Sequence, residues 1–377
     1  DNERDVLGEK IINEINAVFQ KDPELQSFEI ITTTENHNKS PVIHLEHHLG
    51  LESWCVAPVY DYAHKTIITF KLGSNRHNFN DTIVKYLNCA LLINPDVTTF
   101  WHVRRQLVGR NRLTIHKEFQ FSAIVLTKKP KSSEAFAYRR WLFSFQSGES
   151  IDWGFEISIC ERCADRSSSN YHAWSHRQWI LERAPNFLTT EILLTEKFIK
   201  KHICDYSCYH YRQFVLQLMH EIRYFDREEN DYTCIKEMVN YYTGNNVNSD
   251  ADILSALLPQ INFELVAEDV KKSFLYCCNL AAYDISLCKD LKRLFGCRES
   301  FENHRRASIK FIVDNCKRLK NINGYYQLPL VKVSKFDDID NTFLLALKKA
   351  EGELGEKHRK WCSLFLGFDY SNESSLC

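Results

Sequence analysis

Trp101-His102-Val103-Arg104, Phe136-Ala137-Tyr138-Arg139, Trp174-Ser175-His176-Arg177 and Tyr209-His210-Tyr211-Arg212 are four versions of one phrase, an aromatic residue with an arginine three positions later. The arginines are 35, 38 and 35 residues apart, a period suited to a helix, a turn and a second helix. Each phrase continues with an aliphatic residue six positions after the aromatic, at Leu107, Leu142, Ile180 and Val215, and with Arg105, Arg140, Gln178 or Gln213 directly after the arginine. Three and six residues are close to one and two helical turns, so aromatic, arginine and aliphatic residue fall near one stripe. Ring and aliphatic group can pack on a neighbouring hairpin while the guanidinium fork reaches carbonyls or carboxylates between hairpins. The chain therefore reads as all-α, a right-handed crescent-shaped solenoid of helical hairpins whose arginines hold the stack together.

Outward from these phrases, each second helix is opened by polar or proline residues: Asn94-Pro95-Asp96, Lys129-Pro130-Lys131-Ser132-Ser133, Ser167-Ser168-Ser169-Asn170 and Asp205-Tyr206-Ser207. These are helix-start signals. Residues 1–80 read as an amphipathic first helix over 5–20 followed by a less regular segment. Short extended pieces are expected there, at Pro41–Leu45, Trp54–Val56 and Thr66–Phe70. Well-formed repeats occupy 81–225, a polar loop or insertion 226–252, and degenerate helical repeats 253–377. In that last region His304-Arg305-Arg306 and His358-Arg359-Lys360-Trp361 echo the phrase with Glu302 and Glu356 in the aromatic slot. Weak end repeats are expected, because a terminal repeat packs on one neighbour only.

Composition agrees with a helical body: 377 residues, 44 % hydrophobic, 12 Gly, 8 Pro and a net charge of −1, a balance that does not call for nucleic acid. No run of eighteen apolar residues suggests membrane insertion, and the opening residues lack the pattern of a secretory signal. A cytoplasmic protein is expected. Fourteen irregularly spaced cysteines read as reduced thiols. Cys160-x-x-Cys163 has metal-like spacing but lies in a helical pattern with no His/Cys quartet beside it, so no metal site is assigned to this chain.

Pro130-Lys131-x-x-x-x-Phe136-x-x-Arg139-Arg140, Asn170-Tyr171-His172-Ala173-Trp174-x-His176-Arg177-Gln178-Trp179 and Tyr209-His210-Tyr211-Arg212 resemble the repeats of protein prenyltransferase alpha subunits. The resemblance covers residues 80–220 well and 290–365 weakly. It implies a crescent wrapped around a barrel-shaped beta subunit that holds the zinc and most of the isoprenoid pocket, leaving the lone chain catalytically incomplete.

The resemblance also implies site residues. Lys131, just ahead of the second helix of its repeat, matches the lysine that contacts the diphosphate, and Asn170, Tyr171 and His172 match a polar trio facing the same pocket. A cation beside a helix N-terminus suits an anionic leaving group. Read without the resemblance, Lys131 is a solvated charge, Asn170 an N-cap and Tyr171 packing at a rim. Ser133 and Glu134 stand where farnesyltransferase has a tyrosine and a carboxylate-binding glutamine. An acid there would repel a bound C-terminal carboxylate, which favours a geranylgeranyltransferase of type III over a CaaX-reading enzyme. The implied co-substrate is geranylgeranyl diphosphate, the implied partner is the Rab geranylgeranyltransferase beta subunit, and the implied acceptor is an already prenylated SNARE. The alternative of another class is a non-catalytic helical-repeat scaffold.

Overall fold

In the computed structural model helical hairpins succeed one another along the chain, as the period of the phrases requires. The structure describes residues 2–33, 40–72, 82–146, 151–226 and 268–322, with six more between 356 and 364. The chain divides into two compact units, residues 1–180 and 181–377. The first contains α1 (Asn2–Lys21), three short strands, α2 (Val56–Leu72) and the hairpins α3 (Ile83–Ile93)/α4 (Thr98–Gly109), α5 (Ile115–Lys128)/α6 (Ser133–Leu142) and α7 (Trp153–Arg166)/α8 (Tyr171–Leu181). The second contains α9 (Leu188–Lys201)/α10 (Tyr206–Glu221) and α11 (Glu268–Phe295)/α12 (Glu299–Ile322). No helix among the described residues is long and apolar enough to cross a membrane.

The N-terminal segment is where the sequence reading is corrected. The strands are β1 (Ser27–Ile31), β2 (Val42–Leu45) and β3 (His48–Glu52). β3 lies in the middle, parallel to β1 and antiparallel to β2. Of the three extended pieces expected, Pro41–Leu45 yields β2. Trp54 falls in a 3-10 turn, and Thr66–Phe70, although β-branched, lies inside α2. Its Ile67 is fully buried, and burial of an apolar face overrides a weak local propensity. The sheet is fastened to the repeats through β1, whose Phe28 N–H donates to Thr127 Oγ1 of α5 at 3.1 Å.

The phrase arginines are buried and make one repeated latch. Arg139 donates through Nη1 to Phe119 O (2.5 Å) and Ser122 Oγ (2.8 Å) on the first helix of its own hairpin. Its Nε and Nη2 grip the Glu156 carboxylate, the former at 2.8 Å, on the first helix of the next hairpin. In the second unit Arg212 repeats the pattern, with Ile192 O at 2.6 Å, Thr195 Oγ1 at 2.8 Å and Asp284 Oδ1 at 2.8 Å from Nε. Arg104 holds Glu118 with two bonds (2.7 and 2.6 Å) and Asn88 with a third. Arg177 donates to Ile157 O, which like Phe119 O and Ile192 O lies 20 residues before its arginine.

Each carboxylate also meets the residue directly before a later arginine. Tyr138 Oη donates to Glu118 at 2.5 Å, Tyr211 Oη to Glu191 at 2.6 Å, and His176 Nε2 lies 2.7 Å from Glu156 Oε1, all across 20 residues. His304 Nε2 is 3.2 Å from Asp284 Oδ2, again 20 residues on. His304-Arg305 is thus a degenerate copy of the phrase, in register though the aromatic is absent. The echo at His358-Arg359 and the polar segment beyond residue 226 lie outside the described residues.

Candidate functional site

Where the latches repeat, the turns between the two helices of each hairpin do not. Four turns are four residues long: Asn94–Val97, Lys129–Ser132, Ser167–Asn170 and His202–Asp205. Their last residues start the second helices. Ser132 accepts from Ala135 N (3.3 Å), Asn170 from Ala173 N (3.1 Å) and Asp205 from Cys208 N (3.1 Å), each satisfying an N–H that the helix leaves free. The first turn ends on Val97, which has no side-chain cap. At the third place of the turns stand Asp96, Lys131, Ser169 and Cys204. Lys131 is the one cation of the four.

The Lys131 turn is pinned on three sides. Ser132 N donates to Lys129 O (3.1 Å), which closes a β-turn with Pro130 at its first inner position, where the fixed φ of proline suits the turn. Lys129 Nζ pairs with Asp96 of the preceding turn at 2.7 Å. Asn170 Nδ2 donates to Pro130 O at 2.6 Å. Comparison with the other turns explains this last bond. Pro95 O is met by Trp101 Nε1 (2.7 Å) and Ile203 O by Tyr209 Oη (3.2 Å), both six residues on, and Ile203 O also accepts from Ser300 Oγ of α12 (3.0 Å). At the corresponding place after Pro130 stands Phe136, a ring without a donor, and Asn170 supplies the missing hydrogen bond.

The four residues expected to form a site are thereby brought to one place but are not equivalent. Lys131 is exposed, and among the described residues its ammonium has no bonded partner. Tyr171 is 64 % exposed, and the half-buried His172 ring stands edge-on to it at 5.8 Å. Asn170 is fully buried, with both amide protons given to Pro130 O and Cys163 O. An exposed ammonium, a phenol and an imidazole at the N-termini of α6 and α8 form a surface suited to an anion, since unpaired helical N–H groups and cations both favour negative charge.

Other candidates resolve into structure. Among the described residues no group of three or more His, Cys, Asp or Glu is placed to hold a metal ion. Cys160 stands 17 residues before Arg177, in the slot filled by Ser122 and Thr195 before Arg139 and Arg212. Burial pushes its thiol well above the usual range and that of Cys163 up to about 12. Burial alone would raise Glu156 as well, but the Arg139 guanidinium and His176 outweigh it and hold the carboxyl at about 2. His176 is lowered by its burial against the pull of Glu156, and its Nδ1 accepts from Arg140 Nε at 3.0 Å. The ring is therefore the neutral Nε2–H tautomer. Reading the phrases alone missed the carboxylates Glu118, Glu156, Glu191 and Asp284. A carboxylate 20 residues before each Tyr-Arg or His-Arg was the signal available.

Comparison with known proteins gives the repeats a name. The protein prenyltransferase alpha subunit repeat matches residues 115–146, 153–184 and 188–219, which are the hairpins α5/α6, α7/α8 and α9/α10. The chain is 31 % identical over 243 residues to protein prenyltransferase alpha subunit repeat-containing protein 1-B of Xenopus laevis, covering 57 % of this chain and 56 % of that protein. It is 31 % identical over 237 residues to the human repeat-containing protein 1, covering 56 % of this chain and 59 % of that one. Similarity to the geranylgeranyl transferase type-2 subunit alpha of Rattus norvegicus is 25 % over 150 residues, 37 % of this chain and 26 % of that protein. The match thus spans little more than half the length of the repeat-containing relatives. Three named repeats coincide with three latched hairpins, so this part of the chain is similar to the repeats of protein prenyltransferase alpha subunits.

Proposed function

We propose that this chain is the alpha-like subunit of a heterodimeric cytoplasmic protein geranylgeranyltransferase, active only with a beta subunit. The reading is supported by the repeats, by likeness to proteins named as prenyltransferase alpha subunits, and above all by one observation. Lys131 is the one cation at its place in the four turns, and its turn is tied by Asn170 to the start of α8, which carries Tyr171 and His172. In the proposed reaction the thiolate of an acceptor cysteine bonds to C1 of geranylgeranyl diphosphate, the C1–oxygen bond breaks, and diphosphate leaves. Negative charge grows on the leaving oxygen, and Lys131 with the α6 and α8 N-termini stabilises it. Zinc, which supplies the thiolate by lowering the thiol's pKa, belongs with its ligands to the beta subunit. The proposed partner is the Rab geranylgeranyltransferase beta subunit. The proposed acceptor is a SNARE already bearing one prenyl group, in keeping with Glu134, which disfavours a free carboxylate nearby.

Co-expression with that beta subunit, followed by mass spectrometry of a farnesylated SNARE incubated with geranylgeranyl diphosphate, tests the proposal. The expected result is a stable heterodimer that adds one geranylgeranyl group, with Lys131→Ala slowing transfer at least about tenfold and leaving Tm unchanged. Absence of a heterodimer would favour the scaffold reading. Transfer indifferent to Lys131 would remove the site assignment.

A further inference from the structure

The two jobs of Asn170 can be separated atom by atom. Its Oδ1 caps α8 through Ala173 N, a role that Asp205 performs for α10. Its Nδ2 donates to the carbonyl of Pro130, the residue directly before Lys131, across 40 residues and from the next hairpin, at 2.6 Å; in the second unit Ser300 Oγ, in the first turn of α12, meets Ile203 O in a comparable way at 3.0 Å. The second proton of that amide goes to Cys163 O at 3.1 Å, at the end of α7. The amide is fully buried, so it does not meet a ligand at the surface. It is the cross-link that ties the Lys131 turn to the start of α8, and so sets where the Lys131 backbone stands relative to that helix.

We infer that Asn170 is a positioning residue that acts on the leaving group through Lys131. This rests on the proposed function above. A buried hydrogen-bonded cap would be kept for the fold alone, but the fold has another way to satisfy this carbonyl. Pro95 O and Ile203 O are bonded by the aromatic of their own repeat, the latter also by Ser300 of α12, and a tryptophan or tyrosine at 136 would be the in-pattern choice. At Pro130 the own-repeat aromatic is a phenylalanine without a donor, and the hydrogen bond comes from the neighbouring hairpin. The turn carrying the odd lysine is thereby tied to the helix carrying the two other exposed polar side chains. Placing the backbone that carries a charged group limits the region its side chain can reach, and small displacements of such a group lower the rate strongly.

The experiment is a double-mutant cycle in the co-expressed heterodimer, with geranylgeranyl diphosphate as the varied substrate and inorganic pyrophosphate as a competing probe. Asn170→Ser keeps a side-chain cap acceptor and loses both amide donors. Asp205→Ser makes a comparable cap change in a turn without a lysine. Asn170→Ser is expected to lower kcat/KM and to raise the inhibition constant of pyrophosphate about tenfold. In a Lys131→Ala background the same substitution should change neither, because coupled residues fail additivity. Asp205→Ser is expected to lower Tm by a similar amount and to leave pyrophosphate affinity as it was. If Asn170→Ser and Lys131→Ala act independently, or if Asp205→Ser weakens pyrophosphate equally, the positioning role is overturned while the site stands. If Lys131→Ala alone changes nothing, or no heterodimer forms, the underlying reading falls and takes this inference with it.

Discussion

The two ends of each hairpin follow opposite rules. In the latches Arg139, Arg177 and Arg212 each donate to the carbonyl 20 residues before them, Arg104, Arg139 and Arg212 each hold a buried carboxylate, and His304 of α12 meets Asp284 as His176 meets Glu156. At the turns the residues change from repeat to repeat: Asp96, Lys131, Ser169 and Cys204 occupy one place. A buried position is held to a narrow choice by its partners, because an unpaired buried charge is costly. An exposed turn position is not so held, and its residue is available for another task. The difference teaches where to look in a repeat protein: stability lies in what repeats, and candidate chemistry in what departs from the repeat.

The largest effect should come from cutting a latch. Arg139→Ala removes the partner of a buried carboxylate and leaves Glu156 with only His176 beside it, and such truncations cost about 3–5 kcal/mol. Equilibrium urea unfolding should show this loss, whereas Lys131→Ala should be silent in the same measurement. A loss below about 1 kcal/mol for Arg139→Ala would break the comparison, since the repeated feature would then not be the one holding the hairpins.

Next in size is the response to acid, where one latch differs from its neighbours. Tyr138 and Tyr211 meet their carboxylates through a hydroxyl, but His176 does so through an imidazole. Folding lowers the His176 pKa below its ordinary 6.5, so between that value and the folded one the unfolded chain binds more protons and stability falls as pH drops. Glu156 adds a second loss at lower pH. Its carboxyl is held at about 2 against an ordinary 4.5, so its contribution is full above 4.5 and fades as pH falls toward 2, by about 3 kcal/mol in all. His176→Tyr installs the neighbours' chemistry. It should flatten the difference in urea stability between pH 7.5 and 5.5 relative to wild type and keep the loss below 4.5. An unchanged difference would show that His176 is not the group that titrates.

The hairpins from α3 to α10 and their order were legible because an aromatic and an arginine three apart mark each of their second helices. Lys131, Tyr171 and His172 were legible only through resemblance, since an exposed lysine carries no periodic signal. The sheet was legible in part. Pro41–Leu45 is flanked by polar residues and reads as a strand, whereas the run Thr66–Phe70 looks extended until its burial in α2 is known. The tie from Asn170 to Pro130 was not legible at all, because it depends on Phe136 lacking a donor and on two turns becoming neighbours in space.

The smallest effect sharpens the comparison from inside the repeating part. Cys160 occupies the slot where Ser122 and Thr195 give their arginines a hydroxyl, so the latch has a tolerated variation of its own. Cysteine and serine are close in volume, and the Arg177 guanidinium already donates to Ile157 O. Cys160→Ser should therefore change unfolding free energy by no more than about 1 kcal/mol: the added hydroxyl can accept from Arg177 as its counterparts accept from theirs, offsetting the transfer of a polar group into the core. A serine that proved as costly as Arg139→Ala would mean that this slot is set by close packing of sulfur rather than by the arginine it faces. The register of hydrogen bonds would then describe the latch without explaining the residue chosen there.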